Sequence, residues 1–579
     1  MIRRLSLLLV ATTCWLSAQT PSWVERSNEE SQALVEVLGQ FQPEMLTFLG
    51  LGDYHDQIID LGPDRGARLR SAVMTVREHY RRRLEAEENP FVREDLAILI
   101  DAADENVETS LIQEQHMVPY VNASQLIYQG LFGLLKPDAA PEHRPAALSR
   151  LERYLSLPAQ VRARYAEAAS DPELTHPFRS QLEQGLANTP RFIAGIRALF
   201  AAPDFDAEAV NPLLDQLETE LTAHDAWVRE TVLPAARTDS RLPAPVYAQN
   251  LRGVGLDIPP AELIERAQTA YAEIRNEMRT LAGLIAAERG WDTTDYTEVI
   301  RRLKAEQIPA DNVIPTYEAV IAEIEDIIRR ERIVTLPDRP MAIRLATEAE
   351  NAAQPAPHMQ PPPLTGGTGE ERGTFVLTTG TPPLDGEEAV TFDDFTFNAA
   401  TWTLTAHEGR PGHELQFAAM VERGVSVARS FFAFNSVNVE GWALYAEAEL
   451  KPYEPLEGQM IALQFRLLRA SRAFLDPMLN LGQITREEAG RILREEVVLS
   501  DAMTEQELDR YTFRSPGQAT AYFYGYLRVM ALRTRTELAL GDRFDRLAFN
   551  DFLIQQGLIP PALLARAVEQ EFIPTHREP

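Results

Sequence analysis

Apolar residues recur at three- and four-residue steps through most of the chain from about Ser31 to Arg332, in long stretches punctuated by Pro, Gly and Asp. Leu263, Ile264, Ala267, Tyr271, Ile274 and Met278 form one such stripe, and Tyr317, Val320, Ile321, Ile324, Ile327 and Ile328 form another. This spacing puts each set on one helix face and predicts core-facing helices. The stripes share no fixed period, which argues against a helical repeat array. The pattern changes after Arg332. Leu336-Pro337-Asp338-Arg339-Pro340 breaks the helix, and residues 351 to 386 carry Pro355, Pro357, Pro361 to Pro363, Pro382 and Pro383, so no helix runs through them. Within that segment Gly373-Thr374-Phe375-Val376-Leu377-Thr378-Thr379 alternates polar and apolar residues, as a half-buried strand does. As an edge strand it would offer Phe375 and Val376 to an extended peptide through main-chain pairing; as a structural hairpin it would not, and both readings stand. Helical steps return at Phe395, Ala399 and Trp402, and again at Phe417, Ala418, Met420 and Val421. The expected architecture is mainly α with a small β element. It divides into residues 1–19 as a signal peptide, 20–335 as an N-terminal helical region and 336–579 as a catalytic region, the last two forming one intertwined unit.

Between the last two helical patterns lies His407-Glu408-Gly409-Arg410-Pro411-Gly412-His413. Hydrolysis at a zinc ion needs neutral imidazoles to hold the metal and an adjacent carboxylate to take a proton from the attacking water. The usual spacing, H-E-x-x-H, sets the two histidines four apart on one helix face. Here they are six apart, and at about 100° per residue the second lies about 120° round a regular helix from the first. An unbroken helix cannot aim both inward. Pro411 lacks an N–H and Gly412 tolerates unusual dihedrals, so a kink or bulge at Arg410 to Gly412 would let the imidazoles converge. The alternative is a helix that simply ends there, with His413 starting something else.

A catalytic zinc takes three protein ligands and keeps one position open. Glu440, in Asn438-Val439-Glu440-Gly441-Trp442-Ala443-Leu444-Tyr445-Ala446-Glu447, is the strongest downstream candidate. Glu440 and Glu447 share a helix face, and Glu447 would hold a ligand imidazole in its metal-binding tautomer or else be a solvated acid. Farther on, Arg514 to Tyr526 is rich in tyrosine. Tyr522 is a phenol suited to stabilising an oxyanion, with Gln518 four residues before it on the same face, while Tyr524 and Tyr526 read as core packing. His55, His79 and His116, and the run Arg81-Arg82-Arg83, read as packing or solvated helix positions. Asn122-Ala123-Ser124 matches a glycosylation acceptor too short to carry weight.

Composition narrows the setting. Of 579 residues 45% are hydrophobic and 25% charged, an ordinary globular balance. The formal charge of -30 excludes nucleic acid or an anionic membrane as a partner held by bulk electrostatics. Arg3 and Arg4, the apolar run Leu5 to Ala11 and a candidate cleavage region at Leu16 to Gln19 read as an export signal, the run being too short to span a membrane. No integral membrane segment is expected after its removal, and the address is periplasmic or secreted. The single cysteine, Cys14, lies inside the signal, so the mature chain would lack disulfides and thiol nucleophiles. Lipid attachment at Cys14 is the less expected fate, because Thr13 before it is larger than such sites usually carry.

Three segments together, His407 to His413 with Leu415-Gln416, Glu440 to Glu447, and Pro516-Gly517-Gln518-Ala519 with Tyr522 and Gly525, resemble the bacterial family called domain of unknown function eight-eight-five, which is similar to gluzincin-type zinc peptidases. The resemblance spans roughly the last third of the chain. It implies a large, two-lobed, zincin-like helical fold with a deep channel, as in oligopeptidases and Taq-type carboxypeptidases. It also implies Zn2+ on His407, His413 and Glu440, with Glu408 as base, Tyr522 as transition-state donor and a peptide as substrate. Glu414 departs from the pattern, where relatives often carry a further His. The expectation is therefore an exported zinc-dependent hydrolase of peptide bonds. Its rivals are a non-catalytic peptide-binding scaffold that keeps a zincin-like shell, and an amidase for small non-peptide amides.

Overall fold

The computed structural model describes residues 22–51, 53–136, 139–202, 205–364, 372–378, 380–381 and 390–577. The stripe positions are where its helices bury themselves. Helix Pro260–Arg289 starts on a proline, ends on Gly290 in the left-handed region, and buries Leu263, Ala267, Tyr271, Ile274 and Met278. Helix Val313–Glu331 buries Tyr317, Val320, Ile324, Ile327 and Ile328. Ile264 and Ile321 sit half-buried at the margins of the two stripes.

Three large apolar clusters hold the helices together. The first joins Pro260–Arg289 to Leu456–Asn480. The second joins Ser22–Phe41, Arg65–Ala86 and Pro90–His116 to Ser436–Leu450, Thr520–Leu540 and Arg546–Gln555. The third gathers Ala123–Leu135, Arg144–Tyr154, Arg179–Leu199 and Ala207–Trp227. Both of the first two draw helices from either side of residue 335. Val313–Glu331 bridges them, giving Tyr317 to the first and Ile324 to the second.

Helix Ala400–Glu408 lies between those two clusters. Ala400 and Leu404 pack into one, Trp402 and Ala406 into the other, and every residue of the helix is buried. The helix is thus buried all round, its three threonines included, and it carries His407 and Glu408 into the interior.

The β element is a three-stranded sheet in which β3 (Thr374–Leu377) pairs in parallel with β1 (Ala342–Leu345) and antiparallel with β2 (His358–Gln360). A two-stranded ribbon, Gly380–Thr381 with Val390–Thr391, accompanies it. The predicted edge strand is therefore the central one. Phe375, Val376 and Leu377 are fully buried, with Phe375 edge-on to Tyr317 at 5.6 Å. With its backbone bonded on both sides, β3 has no edge for a peptide, and the edges fall to β1 and β2. Continuous apolar residues here signal a strand buried on both faces rather than one. Residues 1–21, with the expected signal and Cys14, lie outside the described residues, as do Thr379, Pro382 and Pro383. Among the described residues no helix is long and apolar enough to cross a membrane.

Candidate metal centre

Helix Ala400–Glu408 stops where Gly409 N–H donates to the Thr405 carbonyl at 2.9 Å, and a new helix, His413–Arg423, begins at the second histidine. The expected distortion is a full break. Gly412 is needed there for space: a Cβ would stand 2.0 Å from the His407 carbonyl oxygen and 2.3 Å from that of Ala406. Only a glycine lets the turn close over the end of its own helix. Trp442 Nε1–H holds the turn from outside, donating to the carbonyls of Pro411 at 3.1 Å and Gly412 at 3.3 Å. Arg410, fully buried, donates to Glu414 and Glu325 at 2.7 Å each and to the Arg339 carbonyl. Glu414 thus gives its carboxylate to a buried ion pair that braces the break.

The break turns the His407 and His413 rings toward each other, centroids 4.8 Å apart and planes at 76°. Glu440, from helix Ser436–Leu450, closes the triangle. Its Oε2 lies 3.5 Å from His407 Nε2 and 3.3 Å from His413 Nε2. These three residues are the group of metal-ligating side chains that converges among the described residues, ligand atoms within 4.8 Å of one another. Glu440 Oε2 is buried with no hydrogen-bond partner. An orphaned carboxylate oxygen facing two imidazole nitrogens fits a cation, and its two separations from them suit zinc: donors at ~2.0–2.1 Å in a tetrahedron stand roughly 3.3 Å apart.

The neighbours orient these candidate ligands. Glu447 Oε1 lies 2.7 Å from His407 Nδ1, and its other oxygen accepts from Thr403 Oγ1 at 3.1 Å. With Nδ1–H donating to Glu447, the neutral ring presents the Nε2 lone pair to the cluster. Burial opposes a charge on His407, but Glu440 and Glu447 outweigh it and raise the imidazole to about 9. Burial likewise opposes charge on Glu440, and the two histidines overcome it, holding the carboxyl well below its usual range. Without a cation the cluster keeps its proton on imidazole.

Glu408 Oε1 is 3.9 Å from His407 Nε2 and faces a cavity of about 1010 Å³. Tyr522 faces the same cavity, its ring stacked 6.1 Å from that of His407 at 12°. The phenolic oxygen accepts from Arg510 Nη2 at 3.2 Å, which leaves the phenol proton free to donate elsewhere. Burial raises Tyr522 above its usual value, against the pull of Arg510, so it stays protonated. Gln518, one turn before Tyr522, donates to Glu440 Oε1 at 3.4 Å. The turn ahead of it is pinned by Gly517, at φ +96°, whose N–H reaches both oxygens of Asp476 at 3.0 and 2.9 Å. The same cavity is lined by the amides of Asn122, Gln125, Gln181, Gln184 and Asn188 from the N-terminal part of the chain.

Seven of the nine residues singled out from sequence thus meet in one place: His407, Glu408, His413, Glu440, Glu447, Gln518 and Tyr522. Phe375 and Val376 do not. They are buried within the sheet, and the strand that reaches the cavity is β2, through His358 and Met359. The other histidines stay apart. His55 stacks edge-on with His143, and His79 faces Glu30. Asn122 caps its helix, accepting from Gln125 N–H at 3.2 Å. Sequence reasoning missed His358 and the arginines of the cavity wall. A signal for the latter was present: Arg466, Arg469 and Arg472 step by three along a helix that is otherwise largely apolar and buried.

A family model described as "Bacterial protein of unknown function (DUF885)" matches residues 43–568. Among solved structures, one described as a "putative lipoprotein from Colwellia psychrerythraea" superposes with a TM-score of 0.76 at 18% identity, covering 96% of this chain and 99% of that one. A second, described as "a putative lipoprotein of unknown function from Shewanella oneidensis", gives a TM-score of 0.71 at 18% identity, covering 95% and 100%. At that identity the likeness is one of fold. No curated protein matches the chain.

Proposed function

The chain belongs to this bacterial family of unknown function, and we propose that it is an exported zinc-dependent hydrolase of peptide bonds with a zincin-like active site. One observation carries the reading: two histidines and a glutamate converge around an orphaned carboxylate oxygen, with Glu408 beside them and Tyr522 across the same cavity. His407, His413 and Glu440 would hold the metal, leaving one side of the cluster open to the cavity. When bound, zinc polarises a carbonyl and brings the ionisation of water near neutrality.

The residues supply the rest. Glu408 takes the proton from the attacking water and returns it to the leaving amine, a task for a carboxylate within reach of both. Tyr522 donates its free proton to the carbonyl oxygen as charge develops there. Glu447 fixes the tautomer and orientation of His407. The amides lining the cavity offer donors and acceptors matching those of a peptide backbone. The export signal read at residues 1–19 would put this activity outside the cytoplasm. The descriptions of both structural neighbours as putative lipoproteins support the other fate of that signal, cleavage before Cys14 and attachment through it.

The test pairs metal analysis with cleavage profiling. Purified protein is expected to carry about one zinc per chain and to cleave members of a mixed peptide pool. Glu408→Gln is expected to keep the metal and lose turnover by roughly 10²- to 10⁴-fold. A metal-free protein that still binds peptides, or a Glu408→Gln variant as active as the parent, would overturn the reading. Cleavage confined to small non-peptide amides would move the substrate class.

A further inference from the structure

One wall of the cavity is cationic, in a protein whose formal charge is -30. Beside Tyr522 it is lined by Arg469, Arg472, Arg510 and Arg514. A guanidinium does not give up its proton in a protein, so each of these charges calls for a partner.

One of the four is fully paired. Arg472 makes a bidentate pair with Glu507 at 2.7 and 2.6 Å. Arg469 Nη2 reaches Glu447 at 3.4 Å, while its Nε and Nη1 are buried without a hydrogen-bond partner. Arg510 and Arg514 share their acids with other groups. Arg510 stands 3.5 Å from Glu507 Oε1, the oxygen that already accepts from Arg472, and its hydrogen bond goes to the neutral phenol of Tyr522. Arg514 donates through Nε and Nη2 to the amide oxygen of Gln184, at 3.1 and 2.6 Å. The carboxylate that acts on Arg514 is Asp509, whose oxygens accept from Arg486 and Gln184. Arg510 and Arg514 also repel each other. The wall therefore holds more positive than negative charge, while the other acids of the cavity, Glu408 and Glu440, belong to the metal cluster, Glu440 also acting on Arg510.

We propose that Arg510 and Arg514 bind a carboxylate of the substrate, so that the enzyme selects peptides with an acidic group close to the scissile bond, the free carboxyl terminus first among them. A planar guanidinium suits a carboxylate, and a pair of them suits it better. The position follows from Tyr522. Arg510 Nη2 is 3.2 Å from the phenol that would serve the scissile carbonyl, and one extended residue spans ~3.3–3.6 Å. The bound carboxylate thus falls within one or two residues of that carbonyl. The enzyme would trim from the carboxyl end, and an Asp or Glu side chain at the same distance would mimic the terminus.

The proposal rests on the peptidase reading, and its test separates the two. Three versions of one peptide are compared on purified full-length protein: free carboxyl terminus, amidated terminus, and amidated terminus with a Glu in the last position. Total hydrolysis reports on the peptidase reading, and the ratio among the three reports on the arginines. Amidation is expected to lower kcat/KM by roughly 10- to 100-fold, the worth of one charge-assisted contact. Arg510→Gln is expected to bring the ratio of kcat/KM for free and amidated peptides to about one, whatever it does to both rates through Tyr522, with zinc content unchanged. Arg514→Gln does the same to a lesser degree and stands in if Arg510→Gln fails to fold. Recovery in the Glu-containing peptide would assign the site to any carboxylate; no recovery would restrict it to the terminus. If no version is cleaved, calorimetric binding of the same peptides to Glu408→Gln decides. Equal rates or equal binding for free and amidated peptides would overturn the proposal.

Discussion

Glu447 Oε1 lies 2.7 Å from Nδ1 of His407, two helical turns beyond Glu440, so one face of helix Ser436–Leu450 supplies both a candidate ligand and the group that orients another. Glu447 is itself secured by Thr403 and Arg469. Replacing it by Gln removes no ligand but loosens the tautomer and angle of His407. Glu447→Gln is expected to weaken zinc binding by about 10- to 100-fold, measured by competition with a chelator, while Thr403→Ala should have a smaller effect in the same direction. Unaltered zinc affinity in Glu447→Gln would refute the orienting role.

Tyr522 is set apart from the other tyrosines of its helix by its partner. Tyr524, buried in the first apolar cluster, bonds Asp257 and Arg528, whereas Tyr522 faces the cavity and accepts from Arg510, which leaves its own proton free. Tyr522→Phe deletes that proton and little volume. The expected result is a loss of about 10²–10³ in kcat, the scale of one oxyanion donor, with KM and zinc content nearly unchanged. A matching rise in KM without loss of kcat would instead assign Tyr522 to ground-state binding.

The site was readable from sequence where chemistry is local. His407-Glu408 and His413 show a carboxylate beside a candidate ligand, and their awkward spacing translated directly into the break that Gly412 makes room for. Glu440 and Glu447 were readable because seven residues is two helical turns. The helical stripes, such as Leu263 to Met278, were readable because burial on one face leaves a period. The rest depends on partners far away in the chain. Nothing beside Phe375 reveals that Ala342–Leu345 and His358–Gln360 flank it on both sides. Arg410 looks like a loop cation until Glu325, 85 residues away, meets it inside the protein. The cavity arginines went unnoticed because charges on a helix normally face solvent, and only the surrounding apolar positions mark Arg469 and Arg472 as interior.

Glu507 gives the cavity wall an acid limit. Burial would raise its carboxyl, but Arg472 and Arg510 override that and hold it down at about 2, against an ordinary 4.5. An acid whose folded value is depressed stabilises the fold above the unfolded value and loses that contribution as pH falls through the folded one, because the unfolded chain takes up the proton first. Melting temperature is therefore expected to fall between pH about 4.5 and 2. Glu507→Gln should flatten that part of the profile. It should also destabilise the protein at neutral pH, by ~3–5 kcal/mol on the scale of a buried ion pair that loses one partner. A parallel profile in variant and parent would show that other carboxylates govern acid unfolding.

Gly441 and Gly525, both within the motifs that carry the family resemblance, act at a distance from the chemistry. They bring helices Ser436–Leu450 and Thr520–Leu540 into backbone contact: a Cβ on Gly525 would stand 2.1 Å from the Val437 carbonyl oxygen, and one on Gly441 would stand 2.6 Å from the Gly525 carbonyl carbon. No side-chain adjustment can relieve a clash with backbone, so the helices themselves would have to separate. The first carries Glu440 and the second Tyr522, which makes the glycine pair the spacer that sets the distance across the site. Gly525→Ala is expected to destabilise the protein by about 1–3 kcal/mol or more, as overpacking does. It should also lower kcat by more than that loss of folded protein explains, because a misplacement of about 1 Å at a catalytic group costs on the order of 100-fold. Turnover per folded, zinc-loaded molecule is the deciding measurement. A variant that melts lower but keeps parental kcat on that basis would reduce the pair to a packing feature.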